Sequence, residues 1–148
     1  MTTPSLTKLG LIATAAAAAA IALPATASAG VPPSFQTPSG NIMCWLVDGK
    51  AACRIVDYTY SVSELPPDCG SPGWPNGFWL KAGEPAVLDC HSQPPGTYTG
   101  LRSDVTLDYG QSQSAGTITC TSELSGVTCT DTSTGHFFRV SRDSYELG

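Results

Sequence analysis

The sequence predicts an all-β domain, a small disulfide-stapled β-sandwich or barrel of short antiparallel strands. Three observations carry this. After Gly30 no stretch repeats its apolar positions at helical spacing, whereas several segments alternate with a period of two. Gly and Pro, 15 and 12 of 148 residues, punctuate the chain at short intervals. Six Cys at gaps of 8, 15, 20, 29 and 8 residues read as three bridges in an exported chain.

Composition narrows the function classes. The chain carries 12 acidic and 7 basic residues, a net charge of −5, whereas a nucleic-acid binder needs a basic face. With 41% hydrophobic and 13% charged residues it has the makings of a core and is not a disordered chain. The length suits one domain.

The N-terminus reads as an export signal. Lys8 is the only charged residue between Met1 and Gly30, and it precedes an Ala-rich apolar run from Leu9 to Leu23. Pro24 breaks the run, and Ala27-Ser28-Ala29 offers the small residues a signal peptidase reads. The run's 15 residues fall short of the roughly 20 that span a bilayer. No membrane span is expected after cleavage, and no Cys follows the site to take a lipid. Residues 1–29 are thus the signal, 30–41 an extended Pro/Gly-rich leader, and 42–148 a single disulfide-rich β domain. The mature chain keeps 12 acids and six bases, a net charge of −6.

The first hairpin is set by Asp48-Gly49, a two-residue signal for a type I′ turn, whose central residues both need positive φ. With the turn there, Val47 pairs with Lys50, Leu46 with Ala51, Trp45 with Ala52 and Cys44 with Cys53. Alternation makes the Cys pair non-hydrogen-bonded, where Cα atoms approach to about 4.5 Å and a bridge fits. Ile42, Cys44, Leu46, Ala51, Cys53 and Ile55 share a core face, and Met43, Trp45, Val47, Lys50 and Arg54 the other. Tyr58 to Val62 alternates weakly as a strand. Pro66 to Pro75 is a loop holding Cys69. Phe78 to Lys81 and Ala86 to Cys90 read as strands, and His91 to Gly100 as a turn region. Ser103 to Tyr109 alternates cleanly, with Val105, Leu107 and Tyr109 inward. Gly110 to Gly116 reads as a flexible loop.

Cys120 and Cys129 repeat the eight-residue gap of the first hairpin. The segments before each pair also echo, Ser39-Gly40-Asn41-Ile42-Met43-Cys44 against Ala115-Gly116-Thr117-Ile118-Thr119-Cys120, at the same offset that separates the two Cys pairs. A degenerate internal repeat and a chance likeness of two Gly-rich hairpins both account for this. The loop falls at Glu123 to Gly126. Ile118, Cys120, Val127 and Cys129 face inward. Thr117, Thr119, Thr121, Thr128 and Thr130 form the other face, either a solvated strand surface or an array for water or sugar. His136 to Val140 closes the set. The bridges expected are Cys44–Cys53, Cys120–Cys129 and, by remainder, Cys69–Cys90. Zinc needs ligand pairs two to four residues apart, which the Cys spacing does not offer.

Phe35-Gln36-Thr37-Pro38-Ser39-Gly40-Asn41-Ile42-Met43-Cys44, Gly126-Val127-Thr128-Cys129 and Thr134-Gly135-His136-Phe137-Phe138 resemble an uncharacterised family of secreted actinobacterial proteins. That family carries an F-x-(S/T)-P-S-G-N-I-x-C segment and a later G-V-x-C…T-G-H-x-F segment. The resemblance implies secretion and disulfides, and no activity. Phe137 stands where the family usually has a small residue.

Chemistry is sparse. No G-x-S-x-G elbow is present, and the six Cys are expected to be oxidised, which leaves no thiolate nucleophile. No catalytic constellation, metal or cofactor is expected. The leading reading is a secreted, non-enzymatic binding or cell-envelope-associated module with an extracellular or cell-wall partner. An inhibitor of extracellular hydrolases, presenting the Gly70–Trp79 loop, is the alternative. A small hydrolase using His136 is the third. Trp74, Phe78 and Trp79 are the expected binding residues, with Trp74 as the exposed one, because a Pro/Gly-braced loop holds aromatics at low entropic cost.

Overall fold

A computed structural model describes residues 33–95, 97 and 103–148. The signal segment, Arg102 and the end of the His91–Gly100 turn region lie outside the described residues. The rest is all-β: two open five-stranded antiparallel sheets packed face to face, a sandwich and not a closed barrel. The first sheet is the meander β1 (Ser34–Gln36), β2 (Ile42–Val47), β3 (Lys50–Ile55), β4 (Trp74–Lys81) and β5 (Val87–His91). The second is β6 (Ser112–Ala115), β7 (Ile118–Glu123), β8 (Gly126–Asp131), β9 (Phe137–Val140) and β10 (Tyr145–Leu147).

Both hairpins have the expected register. Cys44 lies opposite Cys53 and Cys120 opposite Cys129, with Cα separations of 4.1 and 4.0 Å. Cys69 is bridged to Cys90. The Asp48-Gly49 turn differs from expectation. Only Gly49 has positive φ, at 72°, so the turn is not type I′. The register survives because the two-residue loop, and not the turn type, decides which residues face each other.

The two sheets follow one plan. Cys53 pairs with Phe78 on β4, and Cys129 pairs with Phe138 on β9. Ala51 pairs with Leu80, and Val127 with Val140. The sequence echo between the two hairpins is therefore an echo of position. At the centre the equivalent residues touch across the sheets. Cys53 Sγ lies 3.8 Å from Cys129 Sγ, and the Phe78 and Phe138 ring centroids are 5.8 Å apart. Around them Phe35, Ile42, Leu46, Ile55, Leu80, Ile118, Val127 and Val140 complete one buried core.

Four segments differ from the sequence reading. The leader is extended, but Ser34–Gln36 pairs with β2 and buries Phe35 completely. Residues 110–116 are not all loop, because Ser112–Ala115 forms edge strand β6. Its hydroxyls bond across the ladder, Ser112 Oγ to Thr121 Oγ1 and Ser114 Oγ to Thr119 Oγ1, both at 2.7 Å. Residues 103–109 form no strand. Gln36 donates to Val105 O and accepts from Leu107 N across an isolated parallel bridge at Thr106. Leu107 is buried as expected, but Tyr109 is exposed. Tyr58 to Val62 is also no strand, because its rings fill the open end of the sandwich instead of joining a ladder. Tyr58 stacks on Tyr60 at 4.5 Å, and Tyr60 meets Tyr145 and Phe78 at 5.1 and 6.3 Å. The Tyr60 hydroxyl donates to Pro75 O, and burial, with Tyr58 and Tyr145 beside it, pushes its pKa up.

Asp131 ties the sheets together. It is fully buried at the end of β8, and one carboxylate oxygen accepts the Gly83 amide from the β4–β5 turn at 2.8 Å. The Ser133 amide, the Ser133 hydroxyl and the Thr134 hydroxyl also donate to it. The Gly83 bond and then the Ser133 bonds hold its pKa well below the usual carboxylate range. A depressed folded pKa means stability that is full above the unfolded value near 3.9 and is lost as pH falls below it. Asp131→Asn is expected to lower the melting temperature at pH 7 by roughly 5–10 °C. It should also flatten the loss of stability between about pH 4 and pH 2. Thermal melts of both proteins across that range check this; an unchanged acid slope in the variant would exclude Asp131 as its source.

Candidate functional site

Alternation sends Cys44, Cys53 and Phe78 into the core and turns their neighbours onto the outer face of the first sheet. There Trp45 pairs with Ala52, Ala52 with Trp79, and Trp79 with Val87, one row across four strands. The small Ala52 side chain leaves a trough between two indoles, which stand two strand spacings apart, about 10 Å. Lys50 and Arg54 flank Ala52 along β3 on the same face. The trough encloses about 230 Å³ and is lined by Trp45, Val47, Lys50, Ala52, Arg54 and Trp79.

Exposure marks this face. Trp79 is 42% exposed and its neighbour Val87 53%, and Val47, on β2 in the next row, is 49% exposed. Single exposed apolar residues are ordinary, but an exposed indole next to an exposed valine is an apolar pair on this face.

Trp79 is held from β5 on the same face. Its Nε1–H donates to Asp89 Oδ2 at 2.8 Å. His91 Nε2 lies 3.4 Å from the same oxygen, and His91 Nδ1 lies 3.2 Å from Asn76 Oδ1. Asn76, itself buried, donates to Ile55 O at 3.0 Å. A chain of polar contacts thus runs from the core backbone to the exposed indole. Burial, reinforced by the Arg54 charge and opposed by Asp89, pulls the His91 pKa down. Gly77 makes room for it. A Cβ there would stand 2.5 Å from His91 Cε1 and 3.1 Å from Asp89 Cβ. Because the Trp79 N–H is already taken, its ring face is what remains for a ligand.

The expected binding residues separate. Residues 74–79 are not a loop but the first part of β4. Phe78 is fully buried against Phe138 and belongs to the core. Trp74 is half-buried, lining a hollow with Tyr58, Pro95 and Arg142. Trp79 is the exposed one. Of the segment 70–79, residues 74–79 are therefore strand and not loop, and the exposed indole is Trp79 and not Trp74. Trp45, Asp89 and His91 were missed as partners of Trp79. The signal for them was present: Trp45 faces Ala52 in the hairpin register, and Trp79 follows core-facing Phe78. What was missing was the pairing of β4 with β3 and β5.

His136 sits in the β8–β9 turn. Its amide donates to Thr134 Oγ1 and its carbonyl accepts from the Asp131 amide. Among the described residues no side chain hydrogen-bonds its ring. Of the Thr face, Thr117 is exposed and the other four are half-buried, and Thr119 and Thr121 spend their hydroxyls on β6. Cys44, Cys53 and Cys129 bring their sulfurs within 4.8 Å of one another, but all three are in bridges and offer no thiolate to a metal. An open groove of about 770 Å³ lies at one end of the sandwich, with Asp57, Glu123 and Asp143 facing Arg139 and Arg142. Asp143 accepts from Ser141, whose bond lowers its pKa, and Arg139 donates to Ser125.

A family model matches residues 15–147. The chain belongs to DUF6636, a family of unknown function. No curated protein and no solved structure matches it. In this DUF6636 chain the segments singled out in the sequence are structural. Thr37 closes the β1–β2 turn by exchanging bonds with Ile42, and Gly40 N donates to Thr37 O. The Asn41 side chain bonds the Asp57 backbone in both directions, at 2.9 and 2.7 Å, as a peptide group would. Thr134-Gly135-His136 closes the β8–β9 turn around Asp131. In this chain these residues thus close turns.

Proposed function

We propose that this protein is an exported, non-enzymatic binding module that docks its partner on the outer face of the first sheet. The observation that carries the reading is the row Trp45–Ala52–Trp79–Val87, with Trp79 braced by Asp89. A pre-positioned exposed indole loses little freedom on binding, which makes it a suitable anchor. Export is supported by the N-terminal pattern and by three disulfides, which persist in oxidising compartments. No helix among the described residues is long and apolar enough to cross a membrane.

Cosedimentation of the purified protein with envelope material from the producing cells tests this. Trp79→Ala is expected to reduce retention about 10-fold, with the melting temperature nearly unchanged. Leu124→Ala, 86% exposed at the tip of the β7–β8 hairpin, should retain normally. Equal retention of the Trp79 and Leu124 variants would discard the outer face as the docking site.

A further inference from the structure

We infer that the end of the sandwich binds a neutral glycan chain, laid from Tyr109 over Asp57 and Arg142 to Trp74. This goes beyond the docking face, because neither hollow on this path shares a lining residue with the Trp45–Trp79 trough.

The first observation is shape. The open groove of about 770 Å³ has Asp57, Tyr109, Glu123 and Arg142 in its lining, and it falls within the roughly 300–1,000 Å³ of sites that hold a small ligand. A second hollow, of about 550 Å³, is lined by Tyr58 and Trp74 and shares Asp57 and Arg142 with the groove. The two are neighbours across that pair, so a ligand filling both is long and not compact. The backbone holds the walls. Asn41 clamps the Asp57 amide and carbonyl, Thr59 N donates to Arg142 O at 2.7 Å, and Gly110 N donates to Ser122 O at 2.7 Å. Ser141 closes its turn onto Ser144. A site already in shape loses little entropy on binding.

The second observation is the state of the polar groups. Among the described residues, the side chains of Asp57, Tyr109, Glu123 and Arg142 form no hydrogen bond or ion pair, and all four are exposed. The path therefore offers spare acceptors and spare donors. A polyanion meets Asp57 and Glu123, and a polycation meets Arg139 and Arg142, so each carries a like-charge cost. Sugar hydroxyls donate to a carboxylate and accept from a guanidinium, and they bring no charge. Aromatic residues stand on either side of the shared pair, Tyr109 at 40% exposure and Trp74 half-buried. Their apolar surface suits the C–H faces of pyranose rings. The third observation disfavours a peptide. No residue lining either hollow lies on an edge strand, so a peptide cannot extend a ladder there. Of the groove's aliphatic side chains, Ile42 is buried and Leu124 stands clear at its hairpin tip, so neither makes a pocket for a side-chain anchor.

Calorimetric titration of the purified protein with chitohexaose and cellohexaose tests the inference. A galacturonate hexamer, a protonated glucosamine hexamer, the two neutral trisaccharides and a proline-rich peptide serve as comparison probes. At least one neutral hexaose is expected to bind, with little dependence on salt. The charged hexamers, and the trisaccharide of the sugar that binds, should each bind at least about 10-fold more weakly. Arg142→Ala and Tyr109→Ala should each cost about 10-fold in affinity with melting temperatures unchanged, since both side chains are exposed. Trp79→Ala should bind the hexaose as the unaltered protein does. Binding of neither neutral hexaose would overturn the inference. Equal binding of a charged hexamer would overturn the neutral class, equal binding of the trisaccharide the extended path, and preference for the peptide the glycan. Loss of hexaose binding in Trp79→Ala but not in Arg142→Ala would place the sugar on the outer face, and the groove would fall while the docking face stands.

Discussion

Phe78→Ala is expected to destabilise the protein by about 3–5 kcal/mol, the range for deleting a buried aromatic ring. Phe78 is fully buried, lies opposite Cys53, and touches Phe138, Tyr60 and Tyr145 with its ring. Its removal opens a cavity where the two sheets meet, and the cross-linked backbone there cannot collapse to fill it. Phe138→Ala should cost a similar amount, since it occupies the equivalent place in the other sheet. The double variant should lose less than the sum, because the first deletion already breaks the contact the second would break. Urea denaturation of the three variants measures this. A loss below about 1 kcal/mol in Phe78→Ala would mean that the ring is not in the core.

The second large effect concerns the hairpin bridges. Replacing both Cys44 and Cys53 by Ala frees a loop of sequence separation 9, for which chain entropy gives about 2.7 kcal/mol. The two sulfurs are also buried, one of them against Cys129, so the lost packing adds about 1–2 kcal/mol. The Cys69–Cys90 bridge closes a longer loop, separation 21, worth about 3.4 kcal/mol by entropy alone. Cys90 is only half-buried, so its bridge gains less from packing. The hairpin bridge is therefore expected to cost more than the longer-loop bridge, the reverse of the entropic order. Denaturant midpoints of the two Cys-to-Ala pairs decide it. If the Cys69–Cys90 variant is the less stable, loop entropy governs and the stacked sulfurs add little.

The second prediction rests on parts of the fold that were legible in the sequence, whereas the burial of Phe78 against Phe138 was not. Period-two alternation and a two-residue loop placed Cys44 opposite Cys53, and the equal gap at Cys120 and Cys129 implied the same pairing. These are local rules, in which partners lie close along the chain and the turn sets the register. The candidate site was only half legible. The aromatic cluster at 74–79 was identified, but which ring faces solvent was not. Pro75 and Gly77 suggested a loop, whereas the segment enters β4 through an irregularity between Trp74 and Gly77. That pairing sets Phe78 inward and Trp79 outward.

By itself the sequence determined the all-β class, the two hairpins, the three bridges and the inward face of each hairpin strand, because each depends on spacing along the chain. Only the tertiary structure decided the edge strands. Ser112-Gln113-Ser114-Ala115 has weak strand preference and pairs because β7 offers it an open ladder. Tyr58 and Tyr60 have strong strand preference and do not pair, because their rings fill the gap beside Phe78 and Tyr145. The tertiary structure alone also assembled the Trp45–Ala52–Trp79 row and the Asp89–His91 support beside it. Alternation states which side of a strand a residue faces, but not which strand lies next to it. A site built across strands exists only once the sheet has chosen its order.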